Sequence, residues 1–153
     1  PTLTRIREDI FNLLLHNNDL NIDLNEIIFC DLFAGTGSIG IEALSRGVKK
    51  VIFNDIEKKH TNKIEEFLNK INDVNYEIIN FNPYKQKITI LNSCQVIYID
   101  PPYEHSFELI QKKILNNLES DILVILESPI LIEIDNLIFK KQYKNKNLFF
   151  FRT

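Results

Sequence analysis

The chain has 153 residues, of which 44% are hydrophobic, and its 18 basic and 21 acidic residues leave a net charge of −3 at neutral pH. This length and composition predict one domain with its own core and argue against a second, and the weakly acidic balance does not by itself indicate a nucleic-acid partner. No apolar run reaches the roughly 18 residues of a membrane span, and the N-terminus lacks a secretory signal pattern, so we expect a cytoplasmic protein.

The apolar residues repeat with helical and strand periods in alternation along the chain. Ile6, Ile10, Leu13 and Leu14 predict an amphipathic helix over residues 1–16, and a polar loop follows over 17–25. Further helices are predicted around Ile39, Ile41, Ala43 and Leu44, over 57–71 with Ile64, Phe67, Leu68 and Ile71 facing inward, over 86–91 and over 107–118. Strands are predicted over 27–30, 50–54, 76–81, 95–100, 122–127, 137–143 and 148–151.

This order of elements predicts an α/β fold. Strands that alternate with helices imply right-handed crossovers and a mostly parallel sheet with helices on both faces, and the last hairpin adds an antiparallel strand. Cys30 and Cys94 lie at or beside predicted strands without metal-ligand spacing, so we expect two small, reduced core residues.

All four glycines of the chain lie in residues 31–47, DLFAGTGSIGIEALSRG, between the first strand and the second helix. Gly35 and Gly37 can adopt positive φ and have no Cβ, so a ligand can approach the backbone closely, and Gly40 can let the helix pack tightly on the strand. A turn of this type alone is explained equally well by packing. With its flanking acids it predicts a nucleotide-binding turn.

The two flanking acids are Asp31, four residues before Gly35, and Asp55, at the end of the second strand. A dinucleotide fold places its ribose acid about 20 residues beyond the glycines, whereas Asp55 follows Gly40 by 15 residues. A carboxylate before the glycines suits a ligand amino group, and a carboxylate after the second strand suits ribose hydroxyls. S-adenosylmethionine carries both groups.

The second motif, Asp100-Pro101-Pro102-Tyr103, directly follows the fourth predicted strand, where open α/β sheets hold their ligand chemistry. The two prolines keep the backbone extended, so the Asp100 carboxylate and the Pro101 carbonyl can present two acceptors to one amino group. Tyr103 can stack on a base. In isolation the same tetrapeptide is more often a proline turn with a solvated acid, but together with the glycine turn we favour the chemical interpretation.

These motifs resemble a known family, the bacterial 16S ribosomal RNA guanine-N2 methyltransferases of the RsmD type, which are class I S-adenosylmethionine-dependent methyltransferases. The resemblance runs the full length and rests on PTLTRIREDIFNLL, on DLFAGTGSIGIEALSRG with VIFNDIE after it, and on YIDPPYE. It implies a Rossmann-like fold with a seven-stranded sheet, S-adenosylmethionine as the cofactor and no metal.

The resemblance also implies the site residues. The implied cofactor contacts are Asp31, Phe33, Ala34, Gly35, Thr36, Gly37, Asp55, Ile56, Asn82 and Asp100, and the implied catalytic residues are Asp100, Pro101, Pro102 and Tyr103. Asp31 and the turn would hold the methionine part, Asp55 the ribose, and Ile56 would pack on the adenine. Asn82 stands where relatives usually carry an acid for the adenine amine, and its side-chain carbonyl can still accept that bond.

The implied chemistry starts from a guanine amine whose lone pair is delocalised into the ring. If Asp100 and the Pro101 carbonyl accept its two hydrogens, the nitrogen can pyramidalise and aim its lone pair at the sulfonium methyl. We interpret His105 as a surface residue. Glu42, Glu104 and Glu127 are predicted to be caps or solvated charges.

The implied partner is small-subunit ribosomal RNA or the assembling small subunit, with the protein acting as a monomer. Arg5, Arg7 and Thr2 match the family's first helix; we expect Arg7 to contact RNA and favour a solvated charge for Arg5. If the sixth strand runs parallel to the fourth, Lys144 and Lys146 form a basic RNA-binding rim beside DPPY, although an ordinary solvated turn explains them equally well. We expect the basic N-terminal arm of relatives to be missing and RNA recognition to be incomplete.

Three alternatives share part of this pattern. A DNA adenine N6 methyltransferase has DPPY but normally needs a target-recognition insert, for which the chain has no room. A dinucleotide-dependent oxidoreductase uses the glycine turn but leaves DPPY unexplained. A catalytically silent RNA-binding assembly factor stays open, and cofactor titration would separate it from the enzyme.

Overall fold

The computed structural model describes residues 2–102 and 106–153, and it confirms the predicted α/β architecture. The described strands are β1 Ile28–Asp31, β2 Lys50–Asn54, β3 Tyr76–Ile79, β4 Val96–Ile99, β5 Leu123–Ser128, β6 Leu137–Gln142 and β7 Asn147–Arg152. The described α-helices are α1 Thr2–His16, α2 Ser38–Ser45, α3 Lys58–Leu68 and α4 Phe107–Lys113. Short 3₁₀ turns occupy Asn18–Leu20, Leu24–Glu26, Thr89–Ser93 and Leu115–Asn117.

The strands form a seven-stranded sheet in the order β3-β2-β1-β4-β5-β7-β6. β1 to β5 pair in parallel, and β7 is antiparallel to both of its neighbours, β5 and β6. β6 therefore runs in the same direction as β4, as predicted. The turn after β6 consequently lies at the carboxyl edge, where β1, β2 and β4 also end.

The core lies on both faces of the sheet, which explains why the central strands are apolar on both sides. On one face α1, α2 and α3 contribute Phe11, Ala43 and Ile64 to a cluster with Phe29 and Phe53 of the sheet. On the other face α4 packs against a second cluster. Among the residues that the structure describes, no helix has the length and apolar character needed to cross a membrane. Both cysteines are free and buried, as predicted.

Several predicted boundaries and orientations were wrong. Phe67 is 49% exposed on α3, which contacts the edge strand β3, and Ile71 is 40% exposed beyond the end of that helix. The helix ends at Leu68, and Asp73, with φ of 61°, turns the chain toward β3. Ile41 and Leu44 are partly buried and pack against the core, in agreement with the predicted inner face of the helix. The helix predicted over 86–91 is a 3₁₀ turn, and the one predicted over 107–118 is α4 followed by another 3₁₀ turn.

Candidate active site at the carboxyl edge of the sheet

A cavity of about 630 Å³ lies at the carboxyl edge, within the usual size range of small-molecule sites. Its lining includes Phe33 and Gly35 after β1, Asn54, Asp55 and Ile56 at the end of β2, Asn82 after β3, and Asp100, Pro101 and Pro102 after β4. Both sequence motifs therefore border one ligand-sized space. They meet because parallel strands all end at the same edge of the sheet.

The glycines of the turn differ in what they leave room for. Gly35 has φ of 54°, and a Cβ added to it would meet no atom within 4 Å, so its backbone is open toward the cavity. Gly37 has φ of 79°, but its Cβ would approach the side chain of Ile64 at 2.8 Å. The missing Cβ of Gly37 thus lets the turn pack on α3, and the ligand contacts predicted for both glycines stay predictions.

Gly40 has the packing role predicted for it. A Cβ at this position would overlap the ring of Phe53 in β2, so only glycine lets α2 lie this close to the sheet. Its N–H also donates to Oδ2 of Asp31 at 3.1 Å. The first turn of α2 and the end of β1 are therefore joined by one hydrogen bond.

Asp31 is only 1% exposed, which is unusual for an acidic side chain. Its Oδ2 accepts from Gly40, whereas Oδ1 has no hydrogen-bond partner among the described residues. Burial raises the pKa of Asp31 to about 7, against an ordinary 3.8, although the Gly40 bond opposes this shift. A buried carboxylate oxygen without a partner is costly, and a ligand ammonium would supply the missing donor.

Asp55 ties the glycine turn to the start of α3. Its Oδ2 accepts from the Gly35 N–H at 2.7 Å, and its Oδ1 accepts from the Glu57 N–H at 2.9 Å and lies 3.2 Å from Nδ1 of His60. A carboxylate offers about four acceptor positions, so one stays available to a ligand hydroxyl. The neighbouring Ile56 is 59% exposed and presents an apolar surface suited to a flat ring.

Two asparagines complete this side of the cavity. Oδ1 of Asn82 accepts from the Tyr84 N–H at 3.0 Å, which leaves one lone pair for a further donor. Asn54 was missed from the sequence. It is fully buried, donates to the carbonyl oxygens of Leu32 and Phe81 at 3.0 and 3.1 Å, and accepts from the Phe81 N–H at 2.9 Å. The sequence signal that could have identified Asn54 is a polar residue at the end of an apolar strand.

Asp100 belongs to a charged cluster that the sequence did not predict. Nζ of Lys146, in the turn between β6 and β7, lies 3.4 Å from Oδ1 of Asp100 and 3.0 Å from Oε1 of Glu127. The other oxygen of Glu127 accepts from the hydroxyl of Tyr98. Glu127, predicted as a cap or solvated charge, is 4% exposed, so that prediction was wrong.

Burial and charge oppose each other in this cluster. Burial raises the pKa of both Asp100 and Glu127, and the Lys146 ammonium partly offsets the rise. For Lys146, burial alone would lower the pKa, but the carboxylates of Glu127 and Asp100 outweigh it and raise the pKa above its ordinary value. The ammonium is therefore charged throughout the neutral range.

A second cavity of about 350 Å³ adjoins the first. Asp100, Pro101 and Lys146 border both cavities. The rest of the second lining is largely apolar and comes from α4 and from the segment after β5, including Phe107, Ile110, Ile130 and Ile132. The arrangement offers two adjacent ligand spaces that meet at a carboxylate.

A family model described as Conserved hypothetical protein 95 matches residues 1–151. The chain belongs to this family. It is 28% identical to the ribosomal RNA small subunit methyltransferase D of Buchnera aphidicola subsp. Baizongia pistaciae, over 97% of this chain and 77% of the relative. It is 34% identical to the protein of the same name from Buchnera aphidicola subsp. Acyrthosiphon pisum, over 78% of this chain and 59% of the relative. The resemblance predicted from the motifs is thereby confirmed.

Solved structures share this fold. A Haemophilus influenzae protein provisionally described as a methylase superposes with a TM-score of 0.71 at 26% identity, covering 99% of this chain and 98% of that one. An RNA methyltransferase from Salinibacter ruber, in complex with S-adenosyl-L-homocysteine, gives a TM-score of 0.63 at 14% identity over 94% and 90% of the two chains. The Rossmann-like methyltransferase fold predicted from the sequence is confirmed.

The remaining predicted site residues differ in their exposure and in the side chains that they contact. Ala34 is buried, Thr36 and Lys144 are exposed, and Nε of Arg7 lies 3.6 Å from Oε1 of Glu42 on α2. Arg5 is exposed on α1, with its guanidinium 5.8 Å from the ring centroid of Tyr143. The RNA contacts of Arg7, Lys144 and Lys146 stay predictions. Tyr103, Glu104, His105 and the side chain of Thr2 lie outside the described residues.

The buried Asp31 gives a testable pH dependence. Because its folded pKa of about 7 exceeds the ordinary 3.8, its contribution to stability is complete below about pH 4 and is lost as the pH rises through 7. Relative to Asp31→Asn, which does not ionise but can still accept from Gly40, we expect the wild type to lose on the order of a few kcal/mol of stability between pH 4 and pH 8. Urea unfolding at pH 4, 5.5, 7 and 8 measures this. Identical pH slopes for both proteins would contradict it.

Proposed function

We propose that this chain transfers a methyl group from S-adenosylmethionine to the exocyclic N2 amine of a guanine in small-subunit ribosomal RNA. The observation that carries the proposal is the position of Asp100 and Pro101, which border both a cofactor-sized cavity and a second, largely apolar cavity. The names of the two Buchnera relatives support ribosomal RNA as the substrate. The proposal treats these residues as one methyltransferase domain that acts as a monomer in the cytoplasm.

The larger cavity fits the cofactor. The backbone at Gly35 lines it and is open to close approach. Asp31 lies outside the lining, but its buried Oδ1 lacks a partner that an ammonium would supply. Asp55 retains an acceptor position for ribose hydroxyls, and Ile56 offers an apolar surface for the adenine. When bound, S-adenosylmethionine supplies an electrophilic methyl group on a sulfonium.

The guanine amine is a poor nucleophile, and the residues around it make it reactive by positioning it. The Asp100 carboxylate and the Pro101 carbonyl accept the two amine hydrogens, so the lone pair leaves the ring system and points into the larger cavity. With the cofactor bound, the amine would gain the methyl carbon as the carbon–sulfur bond breaks and its electron pair stays on the departing thioether sulfur, and the amine would lose one proton toward the Asp100 carboxylate. Phe107 and Ile130 supply apolar surface for the guanine ring beside it.

Nucleoside mass mapping tests the proposal directly. The purified chain is incubated with methyl-labelled S-adenosylmethionine and either naked small-subunit RNA or assembled subunits, and the RNA is then digested. We expect N2-methylguanosine at one position. Incorporation as N6-methyladenosine would move the assignment to the alternative acceptor, and cofactor binding without methyl transfer to either substrate would favour the silent assembly factor.

Lys144 provides a separate test of RNA binding. Its side chain is exposed beside the site, whereas the ammonium of Lys146 already contacts two carboxylates and is less available to phosphates. We expect Lys144→Ser to flatten the salt dependence of single-stranded RNA binding by about 0.7 in log K per log unit of salt. Lys49→Ser is the matched control, because Lys49 is exposed just before β2, at the opposite edge of the sheet. Equal slopes for both variants would exclude a phosphate contact at Lys144.

A further inference from the structure

Three charged side chains, Asp100, Glu127 and Lys146, lie at the junction between the two cavities. The proposed chemistry uses Asp100 and does not explain the other two. The Lys146 ammonium lies within hydrogen-bonding distance of both Asp100 and Glu127, at 3.4 and 3.0 Å. Its side chain is 31% exposed, that of Asp100 is 35% exposed, and that of Glu127 is only 3% exposed. Glu127 is too buried to form an ordinary surface ion pair, because burying its charge costs free energy. We therefore expect it to have a specific role.

The sheet, rather than a loose loop, sets the position of the ammonium. The turn that carries Lys146 is closed by a 2.7 Å hydrogen bond from the Tyr143 N–H to the Lys146 carbonyl. Asn147 pairs with Ser128 at the end of β5 and also donates its side-chain amide to the Ser128 carbonyl at 3.3 Å. Because β5 also carries Glu127, the turn residue Lys146 is held one residue before β7, beside the strand of its buried partner.

Glu127 is in turn fixed from the neighbouring strand. The Tyr98 hydroxyl, on β4, donates to one oxygen of Glu127, and Lys146 donates to the other. Asp100 directly follows the end of the same strand, β4. The contacts therefore run from Tyr98 to Glu127, from Glu127 to Lys146, and from Lys146 to the carboxylate of Asp100.

Most of the other charged groups that share this edge with Asp100 are acids, whereas Lys85 and His60 line the larger cavity from the side of β3 and α3. Asp31 at the end of β1, Asp55 after β2 and Glu127 at the end of β5 all lie at the same edge. Lys146 is the one cation that contacts Asp100 among the described residues. Without it, Asp100 would have no contacting cation among the described residues, and its burial near other carboxylates would favour the protonated acid.

We propose that Lys146, anchored by Glu127, is a positioning residue that keeps the Asp100 carboxylate ionised and directed toward the acceptor amine. This inference rests on the proposed function, since that function assigns Asp100 to the amine. A protonated Asp100 has one fewer acceptor position and a weaker pull on the amine hydrogens. The pair thereby sets the pH range in which the acceptor can react.

The first test measures Asp100 without relying on activity. Carbon-13 NMR follows the carboxyl titration, with the Asp100 signal assigned by its loss in Asp100→Asn. We expect the apparent pKa of Asp100 to rise by about one unit or more in Lys146→Met and to return toward the wild-type value in Lys146→Arg. Lys49→Met is the control, since it removes the same charge at the opposite edge of the sheet, and it leaves the titration unchanged. Lys146→Gln replaces the Met variant if that protein does not fold.

The second test asks whether the same titration controls the reaction. The acidic limb of kcat for methyl transfer, at saturating cofactor, is expected to move upward in pH with the NMR titration in Lys146→Met and to return in Lys146→Arg. An unmoved Asp100 titration overturns the role of Lys146, whatever the activity. A wild-type protein that shows the titration but transfers no methyl group at any pH overturns the proposed function instead.

Discussion

Replacing Asp100 by Ala is expected to lower kcat for methyl transfer by on the order of 100-fold to 1,000-fold, the usual loss when one preorganised hydrogen-bonding group is removed. The carboxylate acts on the acceptor amine, and its interaction strengthens as the nitrogen becomes positive, so the loss appears in kcat. Gly35 and Asp55, which line the larger cavity, and the buried Asp31 are unchanged in this variant. We therefore expect cofactor affinity, measured by calorimetry, to stay within a few-fold of the wild type.

Asp100→Asn is the matched control for this experiment. Its side-chain carbonyl still accepts one hydrogen bond but carries no charge, so we expect activity between that of the wild type and that of the Ala variant. Wild-type turnover in a folded Asp100→Ala protein would mean that the assigned chemistry is wrong. A fall in cofactor affinity that equals the fall in turnover would instead assign Asp100 to cofactor binding.

Filling the open space at Gly35 is expected to have the second large effect. No protein atom lies within 4 Å of the Cβ position of Gly35, so the side chain of Gly35→Leu enters the larger cavity without disturbing the core. We expect the calorimetric affinity for S-adenosylmethionine to fall at least tenfold, and by on the order of 100-fold if the overlap costs about 3 kcal/mol. The methyl-transfer rate at low cofactor concentration should fall in parallel.

Gly35→Ala separates occlusion from backbone strain. Both variants place a Cβ on a residue with φ of 54°, a strain of roughly 1–2 kcal/mol in the free energy of unfolding. Only the Leu side chain reaches far into the cavity, so the Leu variant should bind the cofactor much more weakly than the Ala variant. Equal losses of affinity in the two proteins would mean that strain in the turn, rather than occupied space, governs binding.

The sequence alone determined the elements whose causes are local. Alternating helical and strand periods predicted the seven strands, and the parallel order then required the ends of β1, β2 and β4 to meet. The clustered glycines predicted the positive φ of Gly35 and Gly37, since other residues rarely adopt it. Two prolines directly after an apolar strand placed Asp100 at the same edge. Each of these inferences needs only neighbouring residues and the geometry of a parallel sheet.

Tertiary structure alone decided which side chains meet across the sheet. The direction of the Gly37 Cβ toward Ile64 depends on how α3 packs, which no local pattern encodes. The sequence predicted a cap or solvated charge for Glu127 because the pattern reports only its neighbours along the chain and not those on adjacent strands. Its burial follows from the order of β4, β5 and β7, which brings Tyr98 and Lys146 to it from 29 residues before and 19 residues after. Contacts over such separations depend on strand order and register, and these are set by the packing of the whole core.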